Sequence, residues 1–253
     1  MKGAVVDVDG TVLRGERAVE GAREGIAALR DAGVRLVFLS NNPTVTSDEL
    51  ADRLEGAGIE VGDATVLSSA SLTARYIADE YPDVPVYVLG ERALVEAVGE
   101  RSELVEADRA TVAVVSLDRG LDYGDIREAV EAVQNADVFL STDPDVVVPT
   151  GDGEIPGTGA VTRAVESAAG REATTVGKPS SVAARAALDA LGTSPDDTVF
   201  VGDRLDTDVA LGERVGARTA LVRSGVTGAE EVDGSAYEPD EVVETVADLR
   251  HLL

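Results

Sequence analysis

Short runs of aliphatic and β-branched residues alternate along this chain with longer segments whose apolar positions recur every three to four residues. The runs at 4–6, 34–39, 66–67, 86–89, 112–115, 138–140, 146–149, 199–201 and 220–222 read as buried strands. Segment 19–31 carries Val19, Ala22, Ile26 and Leu29 on one helical face, with Gly33 as its C-terminal cap. Thr46 and Glu49 form a capping box ahead of a helix that holds Leu50 and Leu54 and stops near Gly58. Further helices are expected over 72–81, 93–98, 123–136, 159–169 and 182–191, one ending near Gly216, and a terminal one over 241–253 that carries His251 near its end. The glycines of 151–157 do not fit a dinucleotide-binding pattern and read as a hairpin turn. Strand and helix alternate, so the expected class is α/β with parallel sheets covered by helices.

Composition narrows the choice. A chain of 253 residues with 44% hydrophobic content has room for one large core or two modest ones. No apolar stretch approaches the ~20 residues of a membrane span. Asp7 and Asp9 interrupt any signal-peptide pattern, so a cytoplasmic location is expected. With no cysteine there is no disulfide, thiolate metal site or cysteine nucleophile. Acids outnumber bases 48 to 22, a net charge of −26, which argues against nucleic acid as a partner. The acids are spread along the chain and read as a solvated coat. Only Lys2 and Lys178 are lysines, so that the other twenty bases are arginines. Such a coat suits a high-salt, halophile-like interior, where screening removes self-repulsion.

Against that background a few polar groups stand out. The first apolar run ends in Asp7-Val8-Asp9-Gly10-Thr11, and the second in Ser40-Asn41-Asn42. Lys178 is retained in Gly177-Lys178-Pro179, and the strand at 199–201 ends in Gly202-Asp203-Arg204-Leu205-Asp206-Thr207-Asp208. An open parallel sheet collects its ligands at the carboxyl ends of its strands. Acids placed there cost free energy unless a cation or proton compensates them. A calcium loop is excluded, since no helix precedes Asp7 and the later acidic ligands are missing. Clustered carboxylates without histidine or cysteine suit a hard cation, Mg²⁺ rather than zinc. One carboxylate could then attack phosphorus and the other, two residues on, could protonate the leaving oxygen and later deprotonate water. Lys178 would neutralise the transferring group, and Ser40 with nearby amides would hold its oxygens. Asp206 reads as a plain acid in a helix's first turn.

These four motifs, in this order and spread over the whole chain, resemble the haloacid dehalogenase superfamily, and within it the subclass IIA phosphatases, the NagD and 4-nitrophenylphosphatase-like group. The resemblance implies a Rossmann-like parallel-sheet core, residues 1–72 and 176–253, with a large α/β cap inserted over 73–175. It implies Asp7 as nucleophile and metal ligand, Asp9 as general acid/base and a metal ligand through its backbone carbonyl, and Ser40 and Asn41 as phosphate binders. Lys178 would stabilise charge, Asp203 would bind the metal and Asp208 would support it. The implied reaction is Mg²⁺-dependent hydrolysis of a small-molecule phosphate monoester through an aspartyl-phosphate. Phosphoryl transfer to another acceptor, or binding of a phosphometabolite without turnover, uses the same residues and stays open, as does a homodimer. In the cap this group usually reads Thr-Asn-Pro-Asp where the chain has Thr142-Asp143-Pro144-Asp145, which adds a carboxyl.

Overall fold

The protein is described from a computed structural model covering residues 1–150, 153–225 and 235–252. The chain begins with β1 (Gly3–Asp7), a short hairpin of β2 (Leu13–Arg14) and β3 (Arg17–Ala18), α1 (Ala22–Asp31), β4 (Arg35–Ser40), α2 (Ser47–Gly56) and β5 (Thr65–Ser68). Next come α3 (Ser69–Glu80), β6 (Val86–Leu89), α4 (Arg92–Gly99), β7 (Val112–Val115), α5 (Tyr123–Asn135) and β8 (Val138–Ser141). The hairpin β9 (Val147–Thr150) and β10 (Gly153–Pro156) leads to α6 (Thr158–Ala169) and β11 (Thr174–Thr175). The last elements are α7 (Ser181–Leu191), β12 (Thr198–Gly202), α8 (Ala210–Val215), β13 (Arg218–Val222) and β14 (Glu241–Val243).

These elements form two compact units: Met1–Ser40, Ser47–Leu67 and Lys178–Leu253 in the first, Asn41–Thr46 and Ser68–Gly177 in the second. The expected cap segment 73–175 falls inside the second unit, which also takes in 68–72, 176–177 and the short segment 41–46.

The first unit is built on a six-stranded sheet of order β14-β13-β12-β1-β4-β5. β1 lies at its centre, parallel to both β4 and β12. All five residues of β1 and of β12 are buried, the pattern of strands covered on both faces, which is why they read as unbroken apolar runs. Because β1, β4 and β12 are adjacent and parallel, Asp7, Ser40 and Gly202 all end at the same sheet edge. The second unit has a four-stranded parallel sheet, β11-β8-β7-β6. Its core joins Tyr87, Val115 and Phe139 from the strands to Ala129 and Val133 of α5 and Val165 of α6.

Three expectations change. Residues 19–21 lie outside α1, which starts at Ala22 after a left-handed Gly21; the preceding hairpin has two-residue strands, too short for a periodicity signal. The segment over 241–253 is not one helix. Glu241–Val243 pairs parallel with β13 as an edge strand, and Val246–Leu252 forms a 3₁₀ helix. The β-branched pair Val242-Val243 favours the strand, and His251, in the last turn of the 3₁₀ helix, meets the Asp248 carbonyl through Nδ1 and the Glu241 carboxylate through Nε2. Past β12, one π-helical turn, Leu205–Val209, precedes α8. Asp206 there is exposed and pairs with Arg204 at 3.2 Å. Of the segment 151–157 expected as a hairpin turn, Gly153–Pro156 is instead the strand β10, paired antiparallel with β9, and residues 151–152 lie outside the described residues.

Candidate active site

Asp7 is the last residue of β1 and is buried. Its Oδ2 accepts a hydrogen bond of 2.9 Å from Thr11 Oγ1. Its Oδ1 receives the Nζ of Lys178, which donates to Asp208 Oδ1 at 2.6 Å as well. The other oxygen of Asp208 accepts from the backbone N–H of Arg204 at 3.1 Å. The π-helical turn thus points Asp208 back toward the end of its own strand. The carboxylates of Asp7, Asp203 and Asp208, all buried, each bring an oxygen within 4.8 Å of the others.

Closure of the loop after β1 depends on Gly10. It adopts φ +99°, and a Cβ there would lie 2.2 Å from Asp203 Oδ2. A side chain at this position is excluded by conformation and by space together. Ser224 Oγ donates to the Gly10 carbonyl at 3.1 Å and ties the same loop to the segment after β13.

The electrostatics follow from burial. Desolvation pushes the Asp7 carboxyl well above the usual carboxylate range; Lys178 works against this, while Asp208 and Asp203 reinforce it. Burial alone would lower the pKa of Lys178, but Asp208 and Asp7 together outweigh it and hold the ammonium firmly protonated. With all three ionised, the carboxylates against one ammonium leave two negative charges in a desolvated site, a state that burial disfavours until a cation compensates it. That deficit matches a divalent cation, and an all-oxygen donor set matches a hard one. The residues present therefore fit a metal ion.

Asp9 takes no part in that cluster through its side chain. Its Oδ2 accepts from Ser40 Oγ at 3.2 Å and its Oδ1 from Arg53 Nη2 at 3.0 Å. Asn41 belongs to the second unit, where its Nδ2 donates to Asp145 Oδ2 at 3.4 Å and its carbonyl accepts from Ser69 Oγ at 2.8 Å. The structure therefore brings Asp7, Asp9, Ser40, Lys178, Asp203 and Asp208 together at one edge of one sheet, and groups Asn41 with the other unit. Arg53 and Ser224 escaped notice in the sequence. Neither lies in a motif, and one arginine among twenty carries no signal of its own.

The chain and its fold have counterparts among known proteins. Residues 4–102 match the haloacid dehalogenase-like hydrolase family, and residues 175–249 match a second HAD-hydrolase-like family. The 5'-nucleotidase YutF of Bacillus subtilis (strain 168) is 32% identical over 247 residues, covering 98% of this chain and 96% of the relative. The chain belongs to the haloacid dehalogenase-like hydrolases. The sugar-phosphatase AraL of the same organism is 36% identical over 99% of this hydrolase and 92% of its own length. Among solved structures, the p-nitrophenyl phosphatase from Archaeoglobus fulgidus superposes with a TM-score of 0.94 at 37% identity, covering 100% of this chain and 99% of that one. NagD from E. coli K-12 superposes with a TM-score of 0.89 at 32% identity, each chain covered to 98%. This hydrolase is thus a HAD-type phosphatase of subclass IIA.

In the second unit, Asp143 is buried just past β8. Its Oδ2 accepts from Thr142 Oγ1 at 2.9 Å and its Oδ1 from the Asp145 N–H at 3.1 Å. Burial, with the charge of Asp145 adding to it, pushes its carboxyl up to about 7.

Proposed function

We propose that this hydrolase cleaves small-molecule phosphate monoesters with Mg²⁺, through a phosphoryl group carried on Asp7. The observation that carries this reading is the setting of Asp7. Thr11 and Lys178 hold its two oxygens at the end of β1, with Asp203 and Asp208 beside it.

Asp7, Asp203 and the backbone carbonyl of Asp9 are the proposed metal ligands. When bound, the cation lowers the mutual repulsion of the carboxylates and draws charge from the phosphoryl oxygens. Asp208 is engaged at both oxygens, by Lys178 and by the Arg204 N–H, and so acts as a support that orients the lysine. Lys178, fixed between two carboxylates, keeps its charge throughout turnover and offsets the negative charge that builds up on the transferring group. Ser40, the last residue of β4, and Asn41 after it supply donors to phosphoryl oxygens.

In the first half-reaction a carboxylate oxygen of Asp7 bonds to phosphorus as the ester P–O bond breaks. The leaving oxygen takes a proton from Asp9 and departs as the alcohol. In the second, water attacks the phosphorus, its proton passes to Asp9, and the bond to Asp7 breaks to release inorganic phosphate. The named relatives include a 5'-nucleotidase and a sugar phosphatase, and what these substrates share is the phosphate monoester.

Asp7→Asn should abolish phosphate release from a panel of sugar phosphates and nucleotides with Mg²⁺ while leaving the far-UV spectrum intact. Acid quench of the wild type during turnover should trap phosphate on Asp7. Full turnover by Asp7→Asn, or trapped label on another residue, refutes the assignment.

A further inference from the structure

Arg53 lies in the last turn of α2, where a cation is favoured by the helix dipole alone. Its guanidinium, however, is used elsewhere. Nη2 donates to Asp9 Oδ1 at 3.0 Å and to the Gly15 carbonyl at 3.2 Å, and Nε faces Glu16 Oε1 at 3.5 Å. The β2–β3 turn, Gly15-Glu16, is therefore fastened to the acid pair through this side chain, which is itself only 18% exposed. Asp9, by contrast, is 44% exposed and ends no strand.

An exposed aspartate rotates freely about two side-chain bonds. Here one carboxylate oxygen is held by Ser40 from the end of β4 and the other by Arg53 from the end of α2. Donors on two different elements fix the plane of the group. Ser40 is also a proposed phosphate binder, so a bound substrate competes for its hydroxyl, whereas Arg53 has no such second duty. We infer that Arg53 is a positioning residue for Asp9: it holds the carboxyl in the orientation that delivers a proton to the leaving oxygen. The inference rests on the reading of Asp9 as the general acid.

Misplacement of a general acid should harm poor leaving groups selectively. An alkoxide must be protonated as it departs, whereas p-nitrophenolate needs no proton. The quantity to measure is kcat/KM, which reports the steps up to alcohol release. For Arg53→Met, kcat/KM on glycerol phosphate should fall by about tenfold or more, while p-nitrophenyl phosphate loses less than about threefold. Arg53→Lys, which keeps the charge without the planar fork, should recover part of the loss on the alkyl ester. Equal losses on both esters, or a rise in KM alone, would overturn the inference. If Arg53→Met fails to fold, the Arg53→Lys ratio between the two esters decides by the same criterion. Asp9→Asn separates the two readings: leaving-group selectivity there without it in the Arg53 variants sinks only the positioning role. Absence of selectivity in Asp9→Asn sinks the reading of Asp9 itself.

Discussion

Replacing Asp143 by Asn should make the protein more stable at pH 8 and leave it nearly unchanged near pH 4. In the folded protein the Asp143 carboxyl titrates at about 7 rather than at its ordinary 3.8, chiefly because it is buried. A folded-state pKa raised in this way contributes stability that is fully present below about 4 and lost as pH rises through about 7. Between those limits the unfolded chain has released the proton and the native one has not. A shift of roughly 3 units at 1.36 kcal/mol each corresponds to about 4 kcal/mol across the window. For a chain of this length that is on the order of 8–16 °C in Tm. Asparagine removes the titration at little steric cost. Its carbonyl oxygen can still accept from the Asp145 N–H, and its amide can donate to the Thr142 hydroxyl, whose own proton can turn to Ser116 Oγ at 2.7 Å. Tm of both proteins measured from pH 4 to 8 at constant high salt should give curves that meet at the acid end and diverge up to about pH 7. Parallel curves would refute the argument, because a charge-neutral replacement would then have removed no titrating group.

Two further outcomes follow from the charges. Exposed like charges repel less when screened, so Tm should rise markedly between about 0.1 M and several molar KCl; equal values would remove the case for a salt-adapted coat. Lys178→Arg should lose most turnover although it keeps the charge, and Mg²⁺ titration of Tm should show whether the carboxylate cluster still takes up a cation; wild-type kcat would refute the geometric requirement at Nζ.

The sheet and the acid pair were legible because both leave dense local signals. β1 and β12 are buried on two faces and so spell continuous apolar runs; β1 ends in Asp7, and Asp203 follows β12 at once. The terminal helix expected over 241–253 failed for the opposite reason. Glu241–Val243 is an edge strand of three residues, and its pairing with β13 is a long-range contact that no window of local periodicity registers. Arg53 was invisible on similar grounds. It lies 44 residues from Asp9 in the chain, and only the return of α2 toward the β2–β3 turn makes the two neighbours. Asp143 was visible as an extra acid, but its burial among Thr142, Ser116 and Thr158 was not.

The retained lysine follows from the same geometry. Position 178 must satisfy Asp7 from β1 and Asp208 from the turn after β12, which approach one nitrogen from different elements. An ammonium is a compact charge with three donors around a single atom and can bridge two carboxylates that are not coplanar. A guanidinium presents its donors in a plane and pairs best with one carboxylate edge-on, as Arg119 does with Glu91 on the surface. It is also larger, and Lys178 is only 3% exposed. A chain that uses arginine for twenty of its 22 bases thus keeps lysine where the charge must fit between two buried acids. The other lysine, Lys2, makes a single exposed pair with Asp197 at 2.8 Å, a contact that either residue type could form. Scarcity of lysine alone therefore marks no site; at Lys178 it coincides with a geometry that arginine does not meet.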